Sequence, residues 1–136
     1  MSSIPDGVFS RESPGSVDTV ARRLTEVAKQ YGFGTLHTYD LQEILNSKGF
    51  PQTQACQVLE ICNPGQADRV LAADYSMNLM LPCRISVYEM GGRTIIAMPK
   101  PTALLGLFTE DAQLRRIAEE VETTMVTIVE VTAAGE

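Results

Sequence analysis

The sequence predicts one domain that mixes helices with strands. Three observations carry this reading. An amphipathic helix leads directly into an aromatic and threonine-rich strand, two strand-like runs flank Gly91-Gly92, and a long apolar stripe at helical spacing precedes the C-terminus. A chain of 136 residues suits a single hydrophobic core.

In the N-terminal segment 1–15, Pro5, Gly7, Pro14 and Gly15 bracket Val8–Arg11, which reads as an edge strand between turn signals. Ser16 stands where an N-cap belongs. Val17, Val20, Ala21, Leu24, Val27, Ala28 and Tyr31 then recur at helical spacing, giving a helix through Gln30. Gly32 stops it, and Phe33–Tyr39 has the composition of a strand. Asp40 with Glu43 forms a capping pattern for a helix over 41–48, which Gly49 ends. Gln54–Ile61 is a strand that runs into Cys62-Asn63-Pro64. There Asn63 caps, and Pro64 opens, a helix over 64–73 carrying Ala67, Val70 and Leu71. Leu81–Met90 and Arg93–Met98 form a hairpin, because Gly91-Gly92 accepts positive φ at both turn positions. Pro99 and Pro101 end its second arm, and Ala103–Phe108 is a short apolar connection. Thr109, Glu110 and Asp111 open the last helix, striped by Leu114, Ile117, Ala118, Val121, Met125 and Ile128. The β-branched stretch Thr123–Val131 leaves a terminal strand as an alternative. Residues 16–132 thus form the domain, and Ala133–Glu136 a frayed tail.

Eleven Lys and Arg against seventeen Asp and Glu give a net charge of −6, so the basic excess that binds phosphate backbones is missing. Nucleic acid is not an expected partner. No apolar run approaches the roughly 18 residues of a bilayer-spanning helix, so no membrane partner is expected. Met1–Gly7 lacks the basic and apolar regions of a secretory signal. Cys56, Cys62 and Cys83 are too few, and odd in number, for a disulfide framework. Free thiols in a cytoplasmic, reducing setting are expected.

Gly32-Phe33-Gly34 with Asp40, Cys62-Asn63-Pro64, Leu81-Pro82-Cys83 and Val87-Tyr88-Glu89 occur in this order, followed by the Gly91-Gly92 hairpin. In order and spacing they resemble domain-of-unknown-function family 302 over residues 16–108. The resemblance implies an α+β fold similar to the TATA-binding-protein-like class: a curved antiparallel sheet carrying helices, often assembled as a homodimer. It implies neither DNA binding nor a catalytic mechanism or cofactor, since fold class is not function.

One candidate site emerges from the residues. If strands 54–62 and 82–90 pair antiparallel with Cys62 opposite Cys83, Val58 faces Val87 and Cys56 faces Glu89, all on one face. Two thiols then meet beside a helix N-terminus, which favours thiolate at Cys62. Cys83 would be its resolving partner, or both sulfurs would ligate a soft metal. The bland alternative is that free cysteines here pack as small hydrophobes, with Asn63-Pro64 and Asp40 acting as caps. Glu60 and Glu89, on otherwise apolar strands, line a pocket or face water. His37, the only histidine, shares a strand face with Phe33, Thr35 and Tyr39 in this reading, and is more simply a solvated side chain than a catalyst. Met77, Met80 and Cys83 are spaced to offer soft ligands to Cu(I), but Pro82 interrupts any helix that would align them. No phosphate-binding glycine motif and no C-x-x-C is present.

Two functions are compatible with this pattern. The first is a homodimeric binding module for a small ligand or a protein partner, with Cys62, Asn63, Cys83, Glu89 and Asp40 as candidate contacts. The second is a thiol-dependent protein that handles sulfur or a soft metal through Cys62 and Cys83. No reaction and no cofactor is specified by the residues.

Overall fold

A computed structural model of the chain describes residues 5–135. Residues 1–4 of the N-terminal segment and Glu136 of the tail therefore lie outside the described residues. Five strands form one antiparallel sheet: β1 (Val8–Ser13), β2 (Gly34–Asp40), β3 (Cys56–Cys62), β4 (Cys83–Met90) and β5 (Arg93–Pro99), in the order β1-β5-β4-β3-β2. The sheet is open, with β1 and β2 at its edges. The helices are α1 (Val17–Gln30), α2 (Leu41–Ser47), α3 (Pro64–Ala73), α4 (Pro101–Leu105) and α5 (Ala112–Ala133), and a 3-10 helix spans Tyr75–Met80. This is the expected α+β architecture. No helix among the described residues is long and apolar enough to cross a membrane.

Local chemistry explains most helix boundaries. Ser16 Oγ accepts the Thr19 amide at 3.2 Å, and Asn63 Oδ1 accepts the Gln66 amide at 3.1 Å. At the end of α1 the amides of Gly32 and Phe33 reach back to the carbonyls of Lys29 and Ala28, with Gly32 at φ +84. This closure needs a residue free of Cβ strain. A Cβ at Gly32 would also stand 3.1 Å from Asn63 Nδ2, so the glycine lets the start of β2 lie against the start of α3.

α1 and α5 pack together over one sheet face. Their stripes, Val20, Leu24 and Ala28 from α1 and Met125, Ile128 and Val129 from α5, are buried against Leu59, Ile61, Ile85, Val87, Ile96 and Met98. Each of these Val, Leu, Ile and Met side chains contributes about 1.5–3 kcal/mol by leaving water. A smaller cluster of Met77, Leu105, Leu114 and Ala118 joins the 3-10 helix and α4 to the start of α5. On the opposite sheet face Glu12, Arg84, Tyr88 and Ile95 are exposed or half-buried.

Three expectations need correction, and one open alternative, a terminal strand over Thr123–Val131, is decided in favour of the expected helix. β3 and β4 are neighbours, but the register is shifted by one residue: Ile61 pairs with Cys83, Val58 with Ser86, and Cys56 with Tyr88. The expected pairing of Cys62 with Cys83 would have put Leu59 and Ile61 on the same face as Ser86 and Arg84. The observed register gathers Leu59, Ile61, Ile85 and Val87 beneath the helices, and burial of one face decides between such alternatives. Second, β2 shifts register between Thr35 and His37, so Thr35 lies opposite core Ile61 while His37 lies opposite Glu60. His37 therefore does not share a face with Thr35. Thr123–Val131 is helical: Val121, Met125, Ile128 and Val129 are buried, and tertiary packing overrides propensity. The hydroxyls of Thr123, Thr124, Thr127 and Thr132 bond back to carbonyls four residues earlier. Third, the stretch expected as a connection over 103–108 begins inside α4, and α5 continues to Ala133.

Candidate functional site

A cavity of about 310 Å³ opens at the end of the sheet where β3 hands over to α3 and the chain returns into β4. Its inner wall is apolar, with Phe33, Ile61, Leu114, Ile117, Val121 and Met125 among its residues. Ala67 and Val70 of α3 form one side, and Leu104 and Leu105 of α4 another. Leu81 and Pro82, joined by a cis peptide bond, line the entry to β4. The exposed residues Leu79 and Arg84 are also among its lining, where it meets solvent. A concave, mostly apolar space with few polar groups is the usual form of a small-molecule site.

The walls are fixed by polar contacts outside the cavity. Arg69 of α3 forms two hydrogen bonds to Glu120 of α5, at 3.0 and 3.1 Å, and holds its carboxyl below the ordinary value. Glu122 of α5 accepts both the amide of Thr102, at 3.0 Å, and its hydroxyl, at 2.7 Å. α4 has no side-chain cap of its own, so this half-buried carboxylate serves its N-terminus from a neighbouring helix.

Three of the five residues singled out in the sequence meet here. Cys62, Asn63 and Cys83 line the cavity, whereas Glu89 and Asp40 do not. Asp40 caps α2 through the Glu43 amide at 3.0 Å and borders a shallow depression with His37 and Tyr39. Glu89 pairs with Thr94 next to the hairpin turn. The thiols are not face to face. Cys83 points to the helix layer with Ile61, and period-two alternation sets Cys62 toward the other side of β3, offset across the strand ends. Burial, and next the nearby Cys62, push the Cys83 thiol up to about 11 from 9.0, so it is protonated at neutral pH. Asn63 Oδ1 already satisfies the Gln66 amide at the α3 terminus. Cys56 lies apart, with its sulfur 4.0 Å from Ser86 Oγ. All three cysteines are free. No group of three or more His, Cys, Asp or Glu suited to a metal occurs among the described residues.

Sequence reasoning missed α4, the start of α5 and the exposed end of the 3-10 helix as cavity walls. Pro101 at the first helical position was the available signal for α4. His37 and Tyr39 do share a face, as expected, and the link not foreseen is to Glu60 on the neighbouring strand: the Tyr39 hydroxyl donates to Glu60 Oε1 at 2.9 Å, and the His37 ring sits 4.3 Å from that of Tyr39. The hydrogen bond to Glu60 raises the Tyr39 hydroxyl above its ordinary pKa.

The comparisons with known proteins agree with this architecture. The crystal structure of an uncharacterized conserved DUF302 protein from Bacillus stearothermophilus is similar, with a TM-score of 0.90 and 32% identity over 95% of this chain and 99% of that one. No curated protein matches the chain at a significant level. The family model described as domain of unknown function DUF302 matches residues 9–132, and the chain belongs to that family.

Proposed function

We propose that the domain is a non-enzymatic binding module that holds a small, largely apolar ligand in the cavity between the β3–α3 junction, α4 and α5. The observation that carries this reading is the cavity itself: about 310 Å³, lined by apolar side chains from separate elements, and reaching solvent at Leu79 and Arg84. Cys62, Asn63 and Cys83 are its contacts, Cys83 as a neutral thiol. Pairing with a second copy belongs to the same reading and is supported by the resemblance to the family and by the sheet face that no helix covers, with half-buried Tyr88 and Ile95 on it. A sedimentation mass of twice 14.8 kDa checks it. The free cysteines support a reducing, cytoplasmic setting.

Calorimetric titration with 1-octanol tests the ligand. Saturable binding is expected, weakened at least tenfold by Ala67→Phe, which places a ring in the cavity while circular dichroism stays unchanged. Absence of binding to the natural chain, or equal binding by the variant, overturns the proposal. A second reading, a soft-metal site, is favoured by Met80 lining the cavity together with both cysteines. Titration with Cu(I) under reducing conditions decides it: one equivalent bound, and lost in both Cys62→Ser and Cys83→Ser, is required.

A further inference from the structure

We infer that the uncovered sheet face packs on the same face of a second copy, so that Arg84 of each copy meets Glu60 of the other. The inference rests on the proposed pairing and adds the surface and the register through which it occurs. Alternation places Cys56, Val58 and Glu60 of β3, and Arg84, Ser86 and Tyr88 of β4, on the face away from α1 and α5. Arg84 stands directly opposite Glu60 there, the position at which opposite charges ordinarily interact. Yet Glu60 Oε1 takes the Tyr39 hydroxyl at 2.9 Å, and Arg84 has neither a hydrogen bond nor an ion pair with any described residue. The exposed guanidinium keeps its planar fork of donors free for a carboxylate from outside the chain.

A two-fold axis parallel to the strands, lying between β3 and β4, supplies that carboxylate. It lays β4 over the partner's β3, with the two sheets about 10 Å apart in aligned packing. Each row across the two central strands then meets itself reversed. Arg84 falls over the partner's Glu60, Ser86 over the partner's Val58, and Tyr88 over the partner's Cys56. One strand further out, Ala97 of β5 falls under the partner's Tyr39. Charge meets opposite charge, and the larger side chain of each row meets a smaller one. The face is thus complementary to itself, as an isologous interface requires, and the symmetry makes the charge contact twice. The ion pairs fix the register, while Tyr88 and Ile95 supply apolar area.

Sedimentation equilibrium tests this. The natural chain is expected at twice 14.8 kDa. Arg84→Glu and Glu60→Arg each set like charges against one another across the axis, and each alone should weaken pairing at least tenfold. Mixed in equal amounts, the two variants complement each other at both contacts and should regain the doubled mass. That rescue separates a charge contact from damage to the fold. Should Glu60→Arg not fold by circular dichroism, Glu60→Gln keeps an acceptor for Tyr39 and should weaken pairing severalfold, and unchanged pairing there overturns the contact. A natural chain at 14.8 kDa overturns the pairing and the contact together. Doubled mass in both single variants overturns this surface while the pairing stands, and a mixture of folded variants that stays monomeric overturns the meeting of Arg84 with Glu60. Octanol binding, read in the same samples, belongs to the cavity on the helix side and stands or falls apart from these outcomes.

Discussion

At Cys83 a single position in the β-ladder decides which chemistry is open to the sulfur. Placed opposite Ile61 under the helix layer, the thiol is pushed up to about 11, which removes it as a nucleophile near neutral pH. Alkylation of Cys83 by iodoacetamide is expected to be slow at pH 8 and to accelerate only as pH approaches 11, read by mass spectrometry of the labelled peptide. Rapid labelling at pH 7 would contradict this. The same shift links to stability. Because the folded pKa exceeds 9.0, the contribution of the protonated thiol is fully present below that value and lost as pH rises through about 11. Cys83→Ala should therefore flatten part of the alkaline fall in stability. The resemblance marked Cys62, Asn63 and Cys83 in the sequence, and all three line the cavity. The face each one takes followed from a pattern that was also present, since a one-residue slip would separate Leu59 and Ile61 from Ile85 and Val87.

At the scale of elements, what could be read was what short-range chemistry determines. α1 and α3 begin at Ser16 and Asn63 caps, α1 ends in a glycine closure at Gly32, and the β4–β5 turn is set by Gly91 and Gly92, at φ +58 and +77. The bulge in β2 and the packing of α4 depend on partners distant in sequence, such as Glu60 and Glu122, and leave no local mark. Glu122 gives this a direct check. Glu122→Ala removes the two hydrogen bonds that hold Thr102, and should lower stability by about 1–2 kcal/mol, the usual cost of losing a helix cap. Denaturant unfolding measures it. If the loss stays within error, α4 is held by Pro101 and Leu105 packing alone.

At the scale of the molecule, the sheet and two long helices make the core, and the smaller helices enclose a space at one end of it. The α+β class and antiparallel sheet were legible through the family motifs. The cavity was not, because it exists only where β3, α3, α4 and α5 converge. Its residues are separated along the chain from Phe33 to Met125. Occupation of that space is the central claim, and amide chemical-shift mapping during titration with 1-octanol tests it most directly. The account predicts shifts clustered at Asn63, Gln66, Val70, Arg84, Leu105 and Ala118, with Asp40 and Glu89 unmoved. Shifts confined to the exposed sheet face around Ile95 and Tyr88, or no shifts at saturating ligand, would contradict it.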